Sequence, residues 1–194
     1  TDDDGVGEYG FLGELAGTAR LRFYNPVPDS PDWGAPAPTP PLLPRDFGDI
    51  YFDAHNECVL LRNGYFFKMF LPDVERFHVI EGISEDGPIG IGGSAGVHFP
   101  DPDTGEALWC CYAWPFEDQV TGHRAFFVNQ KGQILQTKND RRPRGGPVYG
   151  GFLDVPEFDA AYSDPPTGPG GMAAPLAHPP VRANDGNVWA SIGM

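Results

Sequence analysis

The groups in this chain best suited to chemistry are its carboxylates, cysteines and histidines, and their spacing limits what they can do. Asp2, Asp3, Asp4, Gly5 and Glu8 resemble half of a calcium loop. Such a loop needs oxygen ligands at alternating positions, a glycine at the sixth and a bidentate Glu at the twelfth. With Asp2 and Asp4 at the third and fifth positions, Gly5 falls at the sixth and Glu8 at the ninth, but the twelfth is Phe11. Asp2, Asp4 and Glu8 are the candidate calcium ligands. The competing reading, which the missing Glu favours, is an acidic terminus held in solvent. Two other acidic groups, one of Asp101, Asp103 and Glu106 and one of Asp154, Glu157 and Asp159, are suited at most to weak calcium binding.

The five histidines, His55, His78, His98, His123 and His178, are not at metal-ligand spacing from one another or from a cysteine, which argues against zinc. The cysteines are Cys58, Cys110 and Cys111, with no Cys-x-x-Cys pair. Adjacent strand residues point to opposite faces, so only one of Cys110 and Cys111 can face Cys58. All three read as small buried hydrophobes, against a Cys58 bridge to one of the pair in an oxidising compartment. A nucleophilic Cys111–His123 pair requires neighbouring strands, but a thiol within Trp-Cys-Cys-Tyr-Ala-Trp reads as packed rather than reactive. There is no G-x-S-x-G elbow and no phosphate-binding loop; Gly90-Ile91-Gly92-Gly93-Ser94 is a glycine cluster without a clear flanking strand or helix. No residue argues for an enzyme. Trp33, Trp109, Trp114 and Tyr149 are the right type to stack on sugar rings, although core packing accounts more economically for those in strands.

The elements that must position these groups are set by composition. Gly (26) and Pro (22) together make about a quarter of the 194 residues, yet 40% of the chain is hydrophobic and 13% aromatic. That supports one globular domain over 1–194 with short strands and long loops rather than a disordered chain or a helical bundle. Thirteen basic against 27 acidic residues give a formal charge of −14. Such a surface repels phosphate backbones and anionic lipid, which argues against nucleic-acid binding and favours divalent counterions. Lys131, Lys138, Arg141, Arg142 and Arg144 form the one basic cluster, read as a solvated hairpin end against docking on an acidic partner. No apolar run approaches the roughly 18 residues that span a bilayer. The chain opens on Thr-Asp-Asp-Asp with no leader-like segment, which reads as a processed or truncated start.

Along the chain, Phe11, Leu12 and Leu15 form the apolar stripe of a short helix closed by Gly17. Eight prolines between 25 and 44 predict an extended arm pinned to the core by Trp33, Leu42 and Leu43. Cys58–Arg62 and Tyr65–Leu71, joined by Asn63-Gly64, predict a β-hairpin, since both turn residues tolerate positive φ. Both faces of the second strand are largely apolar, which predicts a central strand covered on both sides, one cover being a helix. Residues 72–106 read as a long exposed loop. Leu108–Trp114, His123–Asn129 and Gln133–Thr137 predict three more strands in a meander, with a tight turn at Lys131-Gly132. Residues 140–194 read as a loop-rich tail with a short strand at 187–192. The fold class expected is α+β: an antiparallel β-sheet of about four to five strands with a short N-terminal helix and long Pro/Gly-rich loops.

Three stretches carry a family resemblance: Asp4-Gly5-Val6-Gly7-Glu8-Tyr9-Gly10 before a Leu-Gly-Glu-Leu helix; Gly64-Tyr65-Phe66-Phe67-Lys68-Met69-Phe70-Leu71-Pro72; and Cys111-Tyr112-Ala113-Trp114-Pro115 through Thr121 to Gly132. Together they resemble the globular head of bacterial type IV pilin-like and type II secretion pseudopilin-like proteins. A related bacterial domain of unknown function carries similar Gly-Tyr-aromatic and Phe-x-Val-Asn-Gln-x-Gly patterns. The resemblance covers roughly residues 2–17 and 58–139 and its motifs are structural, with no catalytic signature. It implies a long N-terminal helix, apolar at its start, packed on an antiparallel sheet. It also implies export, membrane anchoring before assembly, and packing into a filament through that helix; some pseudopilins hold calcium in a head loop. The chain departs from the pattern in lacking the leader and the apolar helix, so contact with a membrane is expected only through a helix upstream of Thr1.

The expectation is therefore a non-enzymatic structural subunit of the cell envelope or the exterior, whose partners are other pilin-like subunits or copies of itself. The rival is a stand-alone extracellular module that binds carbohydrate or protein with calcium, using exposed Trp33 or Tyr149 beside clustered carboxylates.

Overall fold

The computed structural model describes residues 7–19, 21, 38–44, 47, 50–73, 79–85, 100–140, 146–163 and 170–192. Its centre is the expected hairpin: β2 (Cys58–Arg62) and β3 (Tyr65–Pro72), with Leu60 opposite Phe67 and Arg62 opposite Tyr65. Asn63 (φ 50°) and Gly64 (φ 80°) both take the left-handed conformation that a two-residue hairpin turn of this twist requires. On the other side of β3 runs β6 (Cys110–Pro115), followed by β7 (Ala125–Asn129) and β8 (Ile134–Thr137), each antiparallel to the one before. These are the meander strands, each starting one or two residues later than the apolar runs suggest.

Three further short strands complete an eight-stranded antiparallel sheet. β1 (Ile50–Phe52) pairs with β2, β5 (Gly82–Ser84) pairs with the end of β3, and β10 (Ala190–Ser191) closes the far edge on β8. A separate parallel pair joins β4 (Val79–Ile80) to β9 (Gly170–Gly171). With the helices α1 (Leu12–Ala16) and α2 (Pro102–Gly105), the architecture is mixed α+β, dominated by antiparallel sheet. β10 falls within the strand expected at 187–192, whereas β1 and β5 widen the sheet beyond expectation because three-residue strands are too short to show a periodic pattern. The 72–106 segment is also not one loop: β4, β5 and α2 lie within it.

The alternation of side chains divides the sheet into two unlike faces. One face carries Val59, Phe66, Phe70, Cys110, Tyr112, Trp114, Phe127 and Leu135, all buried. Its cover is the segment read as a loop-rich tail: Ala160, Ala161, Tyr162, Met172, Ala177 and Trp189 belong to the same core. This cover is irregular backbone, so its polar groups are met individually. The Tyr112 hydroxyl donates to Phe158 O at 3.1 Å and accepts from Ala161 N–H at 3.0 Å, and Trp114 Nε1–H donates to Gly151 O at 2.9 Å.

Among the described residues, the opposite face is covered at one end, where Phe11 packs with Met69 and Leu71, flanked by Leu12, Trp109 and Cys111, and at Phe67, whose ring meets that of Phe47 at 6.1 Å. The expected stripe of α1 is corrected here. Gly13, Glu14 and Ala16 are its buried residues and Phe11 is buried at its N-cap, while Leu12 and Leu15 are only half-buried. Glu14 goes inside because its carboxylate accepts the Phe11 backbone N–H at 2.8 Å, and Glu85, just after β5, accepts the Gly13 N–H at 3.1 Å. These bonds satisfy amides that the first turn of a helix leaves open. Gly17 (φ 70°) ends the helix as expected. Of the Pro-rich arm, Leu42 is 72% exposed and does not pin the chain, whereas Leu43 N–H donates to Leu15 O at 2.9 Å; Trp33 lies outside the described residues.

Candidate functional site

Of the candidate calcium ligands, Asp2 and Asp4 lie outside the described residues, and Glu8 is half-buried just ahead of α1. Among the described residues no three His, Cys, Asp or Glu side chains come together as a metal-binding group. Asp101 is the N-cap of α2, accepting from the Thr104 N–H and hydroxyl, both at 2.8 Å. Asp159 Oδ2 accepts from Asn184 Nδ2 at 3.4 Å. In the basic cluster Lys131 and Lys138 are exposed, and Arg141, Arg142 and Arg144 lie outside the described residues.

All three cysteines are free thiols. Cys110 points into the main core and Cys111 into the smaller one. Burial pushes the Cys111 thiol up to about 12, and burial with the neighbouring Cys111 raises Cys110 as well. β6, which carries Cys111, neighbours β7, which His123 precedes, but the register separates the two side chains. Cys111 stands opposite Val128, while His123 precedes β7 at its other end and contacts Gln119 through Nδ1 at 3.0 Å. A neutral packed thiol without a base is not a nucleophile.

The aromatic candidates are internal. Trp114 is fully buried, and Tyr149, also buried, donates its hydroxyl to Asp185 Oδ2 at 2.6 Å. Desolvation and the Asp185 charge hold that hydroxyl well above its usual range, so it stays a donor. Trp109 is half-buried against Tyr9, with ring centroids 5.9 Å apart. A cavity of about 330 Å³ lies by the end of β7, lined in part by Asn129, Lys131, Gln133, Tyr162 and His178. Gln133 and His178 meet across it at 3.3 Å, and Lys131 is the charged side chain among its described lining residues.

Two features stand out that the sequence alone did not single out. The first is Lys68 in β3, only 2% exposed, between Phe66 and Phe70 on the closed face. Its ammonium donates to Asp53 Oδ2 at 2.6 Å and also to the Glu57 carboxylate. Asp53 and Glu57 bracket the turn between β1 and β2, where Asn56 takes φ 64° and Asp53 Oδ1 accepts the His55 and Glu57 N–H groups at 2.8 and 3.0 Å. The sequence signal was there in part, since alternation puts Lys68 on an otherwise apolar face, where a charge requires a partner.

The second is the remainder of the other face, which the described residues cover only in part. Tyr65, Phe67, Ala113, Phe126 and Val128 are half-buried there, and Ile134 is 47% exposed. Register runs them together as rows: Phe67, Ala113 and Phe126 across three strands, and Cys111, Val128 and Ile134 across the next.

No family model, curated protein or solved structure matches this chain. The functional reading therefore rests on the residues and their geometry.

Proposed function

We propose that this chain is the globular head of a pilin-like or pseudopilin-like subunit, a structural component of a filament on the cell envelope or outside it, without catalytic activity of its own. The observation that supports the reading is an apolar sheet face that the described residues cover only in part. A sheet face lined by Phe67, Ala113, Phe126, Val128 and Ile134 gains by burial against a second layer, and an amphipathic helix is the usual one. The N-terminal end of the described chain supports the same occupant. Phe11 packs on Met69 and Leu71 on this very face, Tyr9 N–H donates to Gly105 O at 3.0 Å and the Tyr9 ring lies 5.9 Å from that of Trp109, so the start of the described chain lies against this face. In this reading the partners are other subunits or copies of the same chain, bound through that helix, and the charge of −14 lies on the outer surface of the assembly.

The calcium-dependent binding module is less well supported. Tyr149 and Trp114 are inside the core, which removes their rings as sugar platforms. The test is a charge on the open face. Val128→Asp leaves the isolated head folded by circular dichroism but eliminates the protein from filament material sheared from the cells that produce it. Unchanged recovery of the variant in that material would contradict the proposal.

A further inference from the structure

The Lys68 site has the arrangement of an intramolecular amide-forming centre, a role separate from filament assembly. Three observations meet there. The Lys68 amine is enclosed, with its nitrogen 5.3 Å from the centre of the Phe70 ring and 2.6 Å from Asp53 Oδ2, and the Asp53 side chain is fully buried. The other Asp53 oxygen, Oδ1, is gripped by two backbone N–H groups, from His55 and Glu57. A second carboxylate, Glu57, contacts the same nitrogen and retains some exposure to solvent. An ordinary ion pair needs only the first of these. Two amides fixed on one carboxylate oxygen, on the side away from the amine, are also the donors that stabilise a developing oxyanion.

We propose that Lys68 and Asp53 join spontaneously in an isopeptide bond, with Glu57 as the proton carrier. The first step moves one proton from Nζ to Oδ2, 2.6 Å away, and leaves an amine and a carboxylic acid side by side. Nζ then attacks Cγ, and negative charge gathers on Oδ1, facing the His55 and Glu57 amides. Glu57 takes a second proton from Nζ and returns it to Oδ2. The Cγ–Oδ2 bond breaks and Oδ2 leaves as water, carrying both protons; Nζ keeps one, as the amide N–H. The carbon changes no oxidation state, Glu57 ends as it began, and no co-reactant is needed. The product covalently ties the β1–β2 turn to the middle of β3, a link that resists pulling forces which a salt bridge does not.

Intact mass spectrometry of the purified, folded full chain reads the reaction directly. The expected mass is that of the sequence less one water. Digestion is expected to give a branched product in which the peptide containing Lys68 is attached to the one containing Asp53, surviving denaturant and reductant. Glu57→Gln is expected to fold with an unchanged circular dichroism spectrum and to show the full sequence mass. A wild-type mass equal to the sequence mass would overturn the proposal. So would loss of water located elsewhere, as in a succinimide at an Asp-Gly pair. A Glu57→Gln protein that still loses water at Lys68 would overturn the role of Glu57.

Discussion

The Phe66 ring lies 4.6 Å, centroid to centroid, from the ring of Phe152, which joins the central strand of the sheet to a segment with no regular structure of its own. Trp114 and Phe116 meet Phe66 at 5.8 and 5.4 Å, so the ring is packed within the sheet as well as against the cover. Aromatic pairs in such tilted and edge-on geometries add to the stabilisation from burial alone.

Phe66→Ala is therefore expected to cost about 3–5 kcal/mol, because it opens a cavity between two layers that cannot both collapse into it. Urea unfolding followed by tryptophan fluorescence measures the loss. A cost below about 1 kcal/mol would mean that 146–163 does not depend on this contact.

The way the cover is held was not legible in the sequence. Ala160, Ala161, Met172, Ala174 and Ala177 are buried but follow neither a helical nor a strand period, and the prolines and glycines around them read as loop. Period-based reading finds regular elements, and this layer is fixed instead by single bonds to the sheet, such as Ala161 N–H to the Tyr112 hydroxyl. The central strands were legible for the opposite reason. Asn63-Gly64 fixes the hairpin turn, and the alternation of Cys110 to Trp114 places Cys110 and Cys111 on different faces, as found. β1 and β5 escaped because three-residue strands carry no period, and with β1 went the adjoining Asp53, the partner that explains Lys68.

Asp185 is expected to be a principal anchor of the C-terminal segment. Its Oδ2 accepts from the Tyr149 hydroxyl at 2.6 Å, Asn187 Nδ2 at 2.9 Å and Trp189 Nε1 at 3.1 Å. Asp185→Ala leaves buried donors without an acceptor, at about 1–3 kcal/mol each, whereas Asp185→Asn keeps one acceptor oxygen and loses less. Thermal unfolding of the two variants is expected to rank wild type above Asn above Ala.

Gly64→Ala is expected to destabilise by about 1–2 kcal/mol through its left-handed backbone. The new methyl would also stand 2.9 Å from Thr121 Cβ, so the 116–122 connection must shift to admit it. Hydrogen exchange is expected to show faster opening of β2 and β3 with little change at β8.

Alkaline pH is expected to weaken the fold. Burial raises the Cys111 pKa from 9.0 to about 12, so the unfolded chain releases its proton first. The stability contributed is fully present below pH 9.0 and is lost as pH rises towards about 12. Cys110, Tyr112, Tyr149 and Tyr162 shift in the same direction through desolvation and add to the slope. Urea midpoints across this range are expected to fall, and Cys111→Ala is expected to flatten the fall. In native protein at pH 8 the thiols are expected to alkylate far more slowly than in denatured protein.

The central claim of the proposal is that the half-buried rows of Ala113, Phe126, Val128 and Ile134 receive a helix that precedes this head in the native subunit. The N-terminal sequence and intact mass of the protein isolated from its native source test it most directly. The account predicts a longer chain in which an apolar helix leads into Thr1. A native chain that starts at Thr1 would contradict it.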